Sequence, residues 1–266
     1  MATFEILVGD PLSTVIIHAP HGGMIIPESV RAEIVLNDLE LANESVIMAD
    51  IATDEIARDI YAKSQIKPWV FINTYSRLVI DPERFPDERE EMNAVGMGVV
   101  YTKTSDQRTL RRADDVRDRQ LVDEYFQPYS DELSDLTSRV LEVNNHVTLL
   151  DLHSFAPEAL PYELHKNDER PALCLGADEF HTATDLIVRA KAAFASIRPI
   201  AINQPFSGTY VPLAHYGVNA TVQSLMLEIR KDTYAYGNKD CSEYWVVVES
   251  GVDLVNQIQA ARTSTK

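Results

Sequence analysis

The sequence predicts a three-layer α/β fold: a central mixed, mainly parallel sheet with helices on both faces. Short β-branched runs alternate along the chain with stretches of helical periodicity, the pattern that buries a parallel sheet between two helical layers. The 266 residues, 45% hydrophobic and 24% charged, suffice for a large core and read as one domain over 1–266. Several of the runs also end in His, Asp or Glu, as strands do where an open α/β sheet carries its site.

The first run, Thr14 to Ile17, leads into His18-Ala-Pro-His21-Gly-Gly, a strand emptying into a tight loop. From Asp38 to Ser64, Leu39, Val46, Ile47, Ile51, Ile56 and Ile60 follow helical spacing in one piece or two, with Asp50 and Asp54 four apart on one face. Trp69–Ile72 reads as the second strand and Leu78–Ile80 as the third. Between Asp81 and Met97 the chain is aperiodic and rich in Pro, Asp, Glu and Arg, the composition of a functional or mobile loop. Asp114 to Asn144 is the clearest helix, and Pro128 inside it predicts a kink. Further strands are expected at Val147–Leu152, Ala172–Leu175, Ile200–Ile202 and Ser224–Ile229, with helices at Thr182–Ala195 and Ser242–Ala260.

A formal net charge of −17 excludes a phosphate-backbone binder, which needs a cationic stripe. No apolar run is long enough to span a membrane, and the N-terminus lacks the features of a secretory signal, so a cytoplasmic protein is expected. Cys174 and Cys241 show no CxxC spacing, which leaves any metal to His and carboxylates. An anionic substrate would be repelled by the global field. Local arginines would then have to recognise it, within about a Debye length of ~8–10 Å.

The polar strand ends carry the functional reading. His21 and His153 each follow an apolar strand directly, and each has a group nearby able to orient it: the Gly22-Gly23 turn, and the Asp151 carboxylate if the strand bends there, a separate role for Asp151 being equally open. His18 is a third candidate, whereas His146, His165, His181 and His215 read as structural. A catalytic zinc takes three protein ligands and keeps a fourth position open, and there is no HExxH pattern here. The carboxylate is therefore assigned to Asp54, with Asp50 as its rival. Glu228 sits in the apolar run Leu225-Met226-Leu227-Glu228-Ile229, where burial raises a carboxyl pKa as a general base near neutral pH requires. The alternatives are a solvated edge position or a pair with Arg230. Arg77 and Arg84 flank the predicted third strand and offer planar forks for a substrate carboxylate.

Taken together, His18-Ala-Pro-His21-Gly-Gly-Met-Ile-Ile-Pro27, Ala52-Thr-Asp54, Ser76-Arg77-Leu-Val-Ile-Asp81-Pro-Glu-Arg84, Leu150-Asp151-Leu-His153-Ser154, Asn203-Gln-Pro205-Phe206-Ser-Gly208-Thr-Tyr210 and Leu227-Glu228 resemble the N-formylglutamate amidohydrolase family. That family is similar in fold to the zinc carboxypeptidases and the aspartoacylase group. The resemblance implies a Zn2+ site with His21 and His153 as ligands, Asp54 in place of a Glu ligand, and Glu228 as the base. It also implies substrate binding by Arg77, Arg84 and Asn203, and a place in histidine degradation. Glu83 stands where the family usually has Asn, and Thr209 where it usually has a second Gly. The reading is a zinc-dependent hydrolase of a small acidic N-acyl amino acid, with no nucleic-acid or membrane partner. Its rivals are a carboxypeptidase-like hydrolase of a peptide or cell-wall fragment and a metal-binding protein without turnover.

Overall fold

The structure, a computed structural model, describes residues 3–263. Its strands are β1 (Phe4–Leu7), β2 (Val15–Ala19), β3 (Trp69–Asn73), β4 (Val147–Phe155), β5 (Leu173–Gly176), β6 (Ile200–Ile202) and β7 (Val222–Arg230). Its helices are α1 (Glu28–Arg31), α2 (Asp38–Met48), α3 (Thr53–Lys63), α4 (Asp115–Leu121), α5 (Gln127–Asn144), α6 (Thr184–Ala193) and α7 (Ser242–Thr263). The strands form one seven-stranded sheet in the order β1-β3-β2-β4-β7-β5-β6. Strands β3, β2, β4 and β7 run parallel in the middle, while β1 and β5 pair antiparallel to β3 and β7. The expected mixed, mainly parallel sheet with helices on both faces is the one observed.

Because successive side chains on a strand point to opposite faces, each central strand divides its residues between two layers. One face carries Val15, Ile17, Val70, Ile72, Leu150, Leu152, Leu225, Leu227 and Ile229, packed beneath α3, α6 and α7. On the other, Ile16, Phe71, Val147, Leu149 and Val222 pack against Tyr129, Leu133, Leu136 and Val140 of α5. Two residues further along each strand, this second face turns polar: His18 follows Ile16, Asp151 and His153 follow Leu149, and Glu228 closes the series on β7. The parallel registers put His18 beside Asp151 and His153 beside Glu228, so four polar groups meet at the carboxyl end of the sheet.

Several elements differ from the sequence reading. The stretch from 38 to 64 forms two helices, one of the two arrangements expected, with α2 opened by an Asn37 capping box and α3 entered through Ala52 in a left-handed conformation at φ 62°; what differs is the placing of the two acids. Asp50 therefore sits in the link and Asp54 in the first turn of α3, so the two do not share a helix face. Leu78–Ile80 is not a strand. It is a buried turn held by Val79 N–H to Ser76 C=O at 2.8 Å, and the Arg111 guanidinium covers the Leu78 carbonyl. The long helix enters through a π turn at Val122–Phe126 and resumes as α5 with Pro128 in its first turn, where proline's missing N–H is tolerated. Strand β1 was not expected.

Candidate metal centre and substrate pocket

His21 lies on the loop that follows β2. Gly23 makes this loop feasible, since a Cβ there would meet the Tyr75 carbonyl oxygen at 2.5 Å. Asp50 is tied to the same loop by its backbone N–H, which donates to the His21 carbonyl at 3.0 Å. The third group, His153, projects from β4. These three side chains aim one atom each at a common point. Nδ1 of His21 is 3.2 Å from Nδ1 of His153, and Oδ2 of Asp50 is 3.0 Å from the latter and 3.5 Å from the former.

The outer ring nitrogens face carboxylates. His21 Nε2 donates to Asp81 Oδ1 at 2.9 Å, while His153 Nε2 lies 3.2 Å from both Asp151 Oδ2 and Glu83 Oε2. A proton held on each outer nitrogen leaves both Nδ1 atoms as lone pairs, the tautomer that carboxylate–histidine–metal triads impose. Two imidazole lone pairs and a carboxylate oxygen then converge on one point. Ligands held at ~2.0–2.1 Å around a tetrahedral zinc stand roughly 3.3 Å apart, which the observed triangle matches.

The electrostatics agree. Burial alone would push the Asp50 carboxyl up, but its contacts with His153 and His21 hold it far below the usual range. Burial alone would drive a proton from His153, yet Glu83, Asp151 and Asp50 raise its pKa well above the ordinary value. The surrounding carboxylates thus favour positive charge at the two rings, and Asp50 favours it on the Nδ1 side. Two imidazolium protons on nitrogens 3.2 Å apart would repel each other, whereas one divalent cation satisfies all three groups.

Behind this centre Asp81 is fully buried and takes Arg77 Nη2 at 2.6 Å, the Tyr101 hydroxyl, and Arg84 Nε at 3.6 Å. Burial would raise its pKa, but His21, Arg77 and Arg84 keep it well below the carboxylate range. Asp81→Asn is expected to lower metal affinity by roughly 10- to 100-fold, as for other outer-shell partners. Competition with a chelating dye measures this, and unchanged affinity would deny Asp81 that role. Glu83 reaches the opposite side of the histidines. Its Oε1 is 3.3 Å from His18 Nδ1, and the fully buried His18 also bonds Asp151 at 2.9 Å and the Tyr129 hydroxyl at 2.6 Å. His18 is thereby engaged between two carboxylates, away from the Nδ1 triangle. Two other groupings among the described residues could hold a cation, His21 and His153 with Glu83, and His18 with Glu83 and Asp151; in the first, Nε2 of His21 already donates to Asp81.

A cavity of about 220 Å³ opens on the triangle, lined among others by Arg77, Arg84, Phe206, Glu228 and Lys231. Glu228 Oε2 is buried without a hydrogen-bond partner, and burial pushes its pKa up to about 7 against the lowering pull of His153. Arg230 turns instead to Asp232. The guanidinium of Arg84 makes no hydrogen bond among the described residues, so its fork faces the cavity free. Arg77, by contrast, spends Nε on Tyr101 and Nη2 on Asp81, which leaves Nη1, 3.9 Å from Asp50.

Two sequence assignments move. No hydrogen bond or ion pair joins Asp54 to either histidine among the described residues. The charges its carboxyl feels are those of Glu55 and Arg58, because the first turn of α3 carries it beside Gly22. Asn203 is exposed and spends both ends of its amide on the backbone of Ala177, at 2.7 and 3.1 Å, so it pins a loop outside the cavity. Asp81, Tyr101 and Lys231 were missed as site residues; the dense polarity of the loop after Ile80 was the one signal for the first.

The profile of the N-formylglutamate amidohydrolase family matches residues 13–235, the stretch that holds every group just described. The chain belongs to that family. It is an amidohydrolase by that membership, and no curated protein matches it significantly. Among solved structures, N-formylglutamate amidohydrolase from Ralstonia eutropha JMP134 is similar to this amidohydrolase over 100% of both chains, with a TM-score of 0.80 and 18% identity. An Agrobacterium tumefaciens gene product is similar over 99% of this chain and 95% of its own, with a TM-score of 0.69 and 16% identity. At such identities the likeness is one of fold. No helix of the described residues is long and apolar enough to cross a membrane.

Proposed function

We propose that the protein is a zinc-dependent hydrolase that cleaves the amide bond of a small acidic N-acyl amino acid, of which N-formylglutamate is the type. The observation that carries this is the triangle of His21 Nδ1, His153 Nδ1 and Asp50 Oδ2, with sides of 3.0 to 3.5 Å, facing the cavity that Glu228 lines. These three residues would hold the metal. When bound, it supplies Lewis-acid polarisation of the scissile carbonyl and acidifies a water molecule.

The chain's own groups do the rest. Glu228, unpaired at Oε2 and poised near neutrality, takes the proton of the attacking water and returns it to the leaving amine. Arg84 presents its free fork to a substrate carboxylate, answering the repulsion of an acidic protein for an acidic ligand. Asp81 accepts from His21 Nε2, and Asp151 and Glu83 lie 3.2 Å from His153 Nε2, an arrangement that favours protons on the outer nitrogens and leaves Nδ1 open. Phe206 and Met226 supply apolar surface to the lining of the cavity.

Metal analysis of protein purified without chelator, with assay on formyl-, acetyl- and succinyl-amino acids beside short peptides, tests the reading. Stoichiometric zinc and a preference for acyl amino acids are expected. Preference for peptides would favour a carboxypeptidase-like hydrolase, and zinc without turnover a binding protein. Arg84→Lys is expected to raise KM several-fold for substrates with a free carboxylate, because an ammonium cannot reproduce the bidentate fork. Amidated analogues should feel it much less; equal effects on both would remove Arg84 from recognition.

A further inference from the structure

Lys231 follows β7 directly and is buried, only 6% exposed, yet no carboxylate lies within ion-pair distance of its ammonium among the described residues. Its one hydrogen bond there is from Nζ to the Ile47 carbonyl at 3.2 Å. An ammonium has three donors, so donors are left over. Buried cations are ordinarily paired. Elsewhere in this fold they are: Arg77 has Asp81, Arg117 has Asp118, Arg170 has Glu163, and Arg111 has backbone carbonyls. Lys231 has one carbonyl for its three donors and stands at the wall of the cavity that also holds Glu228, His153 and Arg84.

Its surroundings explain why the missing partner belongs to a ligand. Burial lowers its pKa, and of the charged groups acting on it, Asp50 and Glu228 favour the ammonium while Arg77 opposes it. Asp50 and Glu228 both have other duties in the site. A buried charge that is neither neutralised nor removed costs folding energy, which an arriving anion offsets. Beyond Arg77, whose Nη1 faces Asp50, the cavity therefore holds uncommitted donors on the outer nitrogens of Arg84, whose Nε pairs with Asp81, and on the Lys231 ammonium, rising from the loop after Ile80 and from the end of β7.

We infer that Lys231 is a specificity-determining anion anchor, taking one carboxylate of an N-acyl dicarboxylic amino acid while Arg84 takes the other. This rests on the proposed amidohydrolase reading of the site. It assigns recognition to a residue on a strand end rather than to the loop arginines alone.

Lys231→Met, compared with the parent on N-formyl-L-glutamate and on its two mono-amides, N-formyl-L-glutamine and N-formyl-L-isoglutamine, tests the assignment. Loss of a charged hydrogen bond is expected to raise KM for the diacid roughly 10- to 100-fold with little change in kcat. For one of the two amides, whichever lacks the carboxylate that Lys231 reads, the variant and the parent should be alike. Lys231→Arg should restore much of the diacid preference. Melting curves guard against misfolding, and Lys231→Met should melt no lower than the parent, since an unpaired buried charge has been removed. An equal penalty on all three substrates, a penalty confined to kcat, or no penalty overturns the anchor.

Calorimetric binding of the same three ligands to zinc-loaded protein separates the two readings. Selective binding that depends on Lys231, without hydrolysis, sinks the amidohydrolase and keeps the anchor. Hydrolysis that is indifferent to Lys231 does the reverse.

Discussion

Replacing Asp50 by alanine is expected to strip the protein of stoichiometric zinc and abolish hydrolysis, while Asp54→Ala keeps both. Asp50 supplies the oxygen 3.0 Å from His153 Nδ1 and 3.5 Å from His21 Nδ1, and two imidazoles alone make a poor site for a catalytic zinc. Outer-shell partners of a metal ligand are worth roughly 10- to 100-fold in affinity, so direct loss of the third ligand should exceed that. Elemental analysis after dialysis, with melting curves to establish that each variant folds, decides the matter. Zinc retained by Asp50→Ala and lost by Asp54→Ala would return the ligand to α3.

Glu228→Gln should lower kcat by roughly 10²- to 10⁴-fold with zinc still bound, since the amide keeps the shape and cannot accept the proton. The same variant should be more stable. Glu228 is raised from 4.5 to about 7 chiefly by burial, so the folded protein holds a proton that the unfolded chain has already released. Ionising it therefore costs stability as pH climbs through that window. Glutamine removes the cost. In metal-free protein at pH 8 the variant should melt higher than its parent, by roughly 2–8 °C, with the difference vanishing near pH 4. A variant that is inactive and also less stable at pH 8 would make Glu228 a structural residue, and one that loses zinc would make it a ligand.

Which parts of this site can be read from the chain follows from where each group sits. His21, His153 and Glu228 stand at the ends of apolar strands, where an ionisable side chain contradicts its neighbours and so draws notice. Choosing between Asp50 and Asp54 depends on a helix break with no glycine or proline to announce it, one made at a left-handed Ala52. Leu78–Ile80 has the composition of a strand, but its carbonyls go to Arg111 from a segment more than thirty residues away, and no local pattern reports that. Asn203 illustrates the limit of a motif, because the residue is present and its amide turns to Ala177. Lys231 carries no sequence signal at all, since a lysine after a strand is ordinarily solvated.

The pleat of the central strands has a consequence for how this protein can change. The buried strand side chains packed beneath α3, α6 and α7 belong to one face, and the strand residues of the candidate metal centre, His18, Asp151, His153 and Glu228, belong to the other. Mutational drift in the chemistry therefore need not touch the packing that holds the sheet. Asp50, Asp81, Glu83 and Arg84 lie on connections rather than on the strands themselves. Such a scaffold can exchange one acyl substrate for another by small steps, each intermediate folding as well as its ancestor, because heritable novelty and structural integrity are written on opposite sides of the same strands.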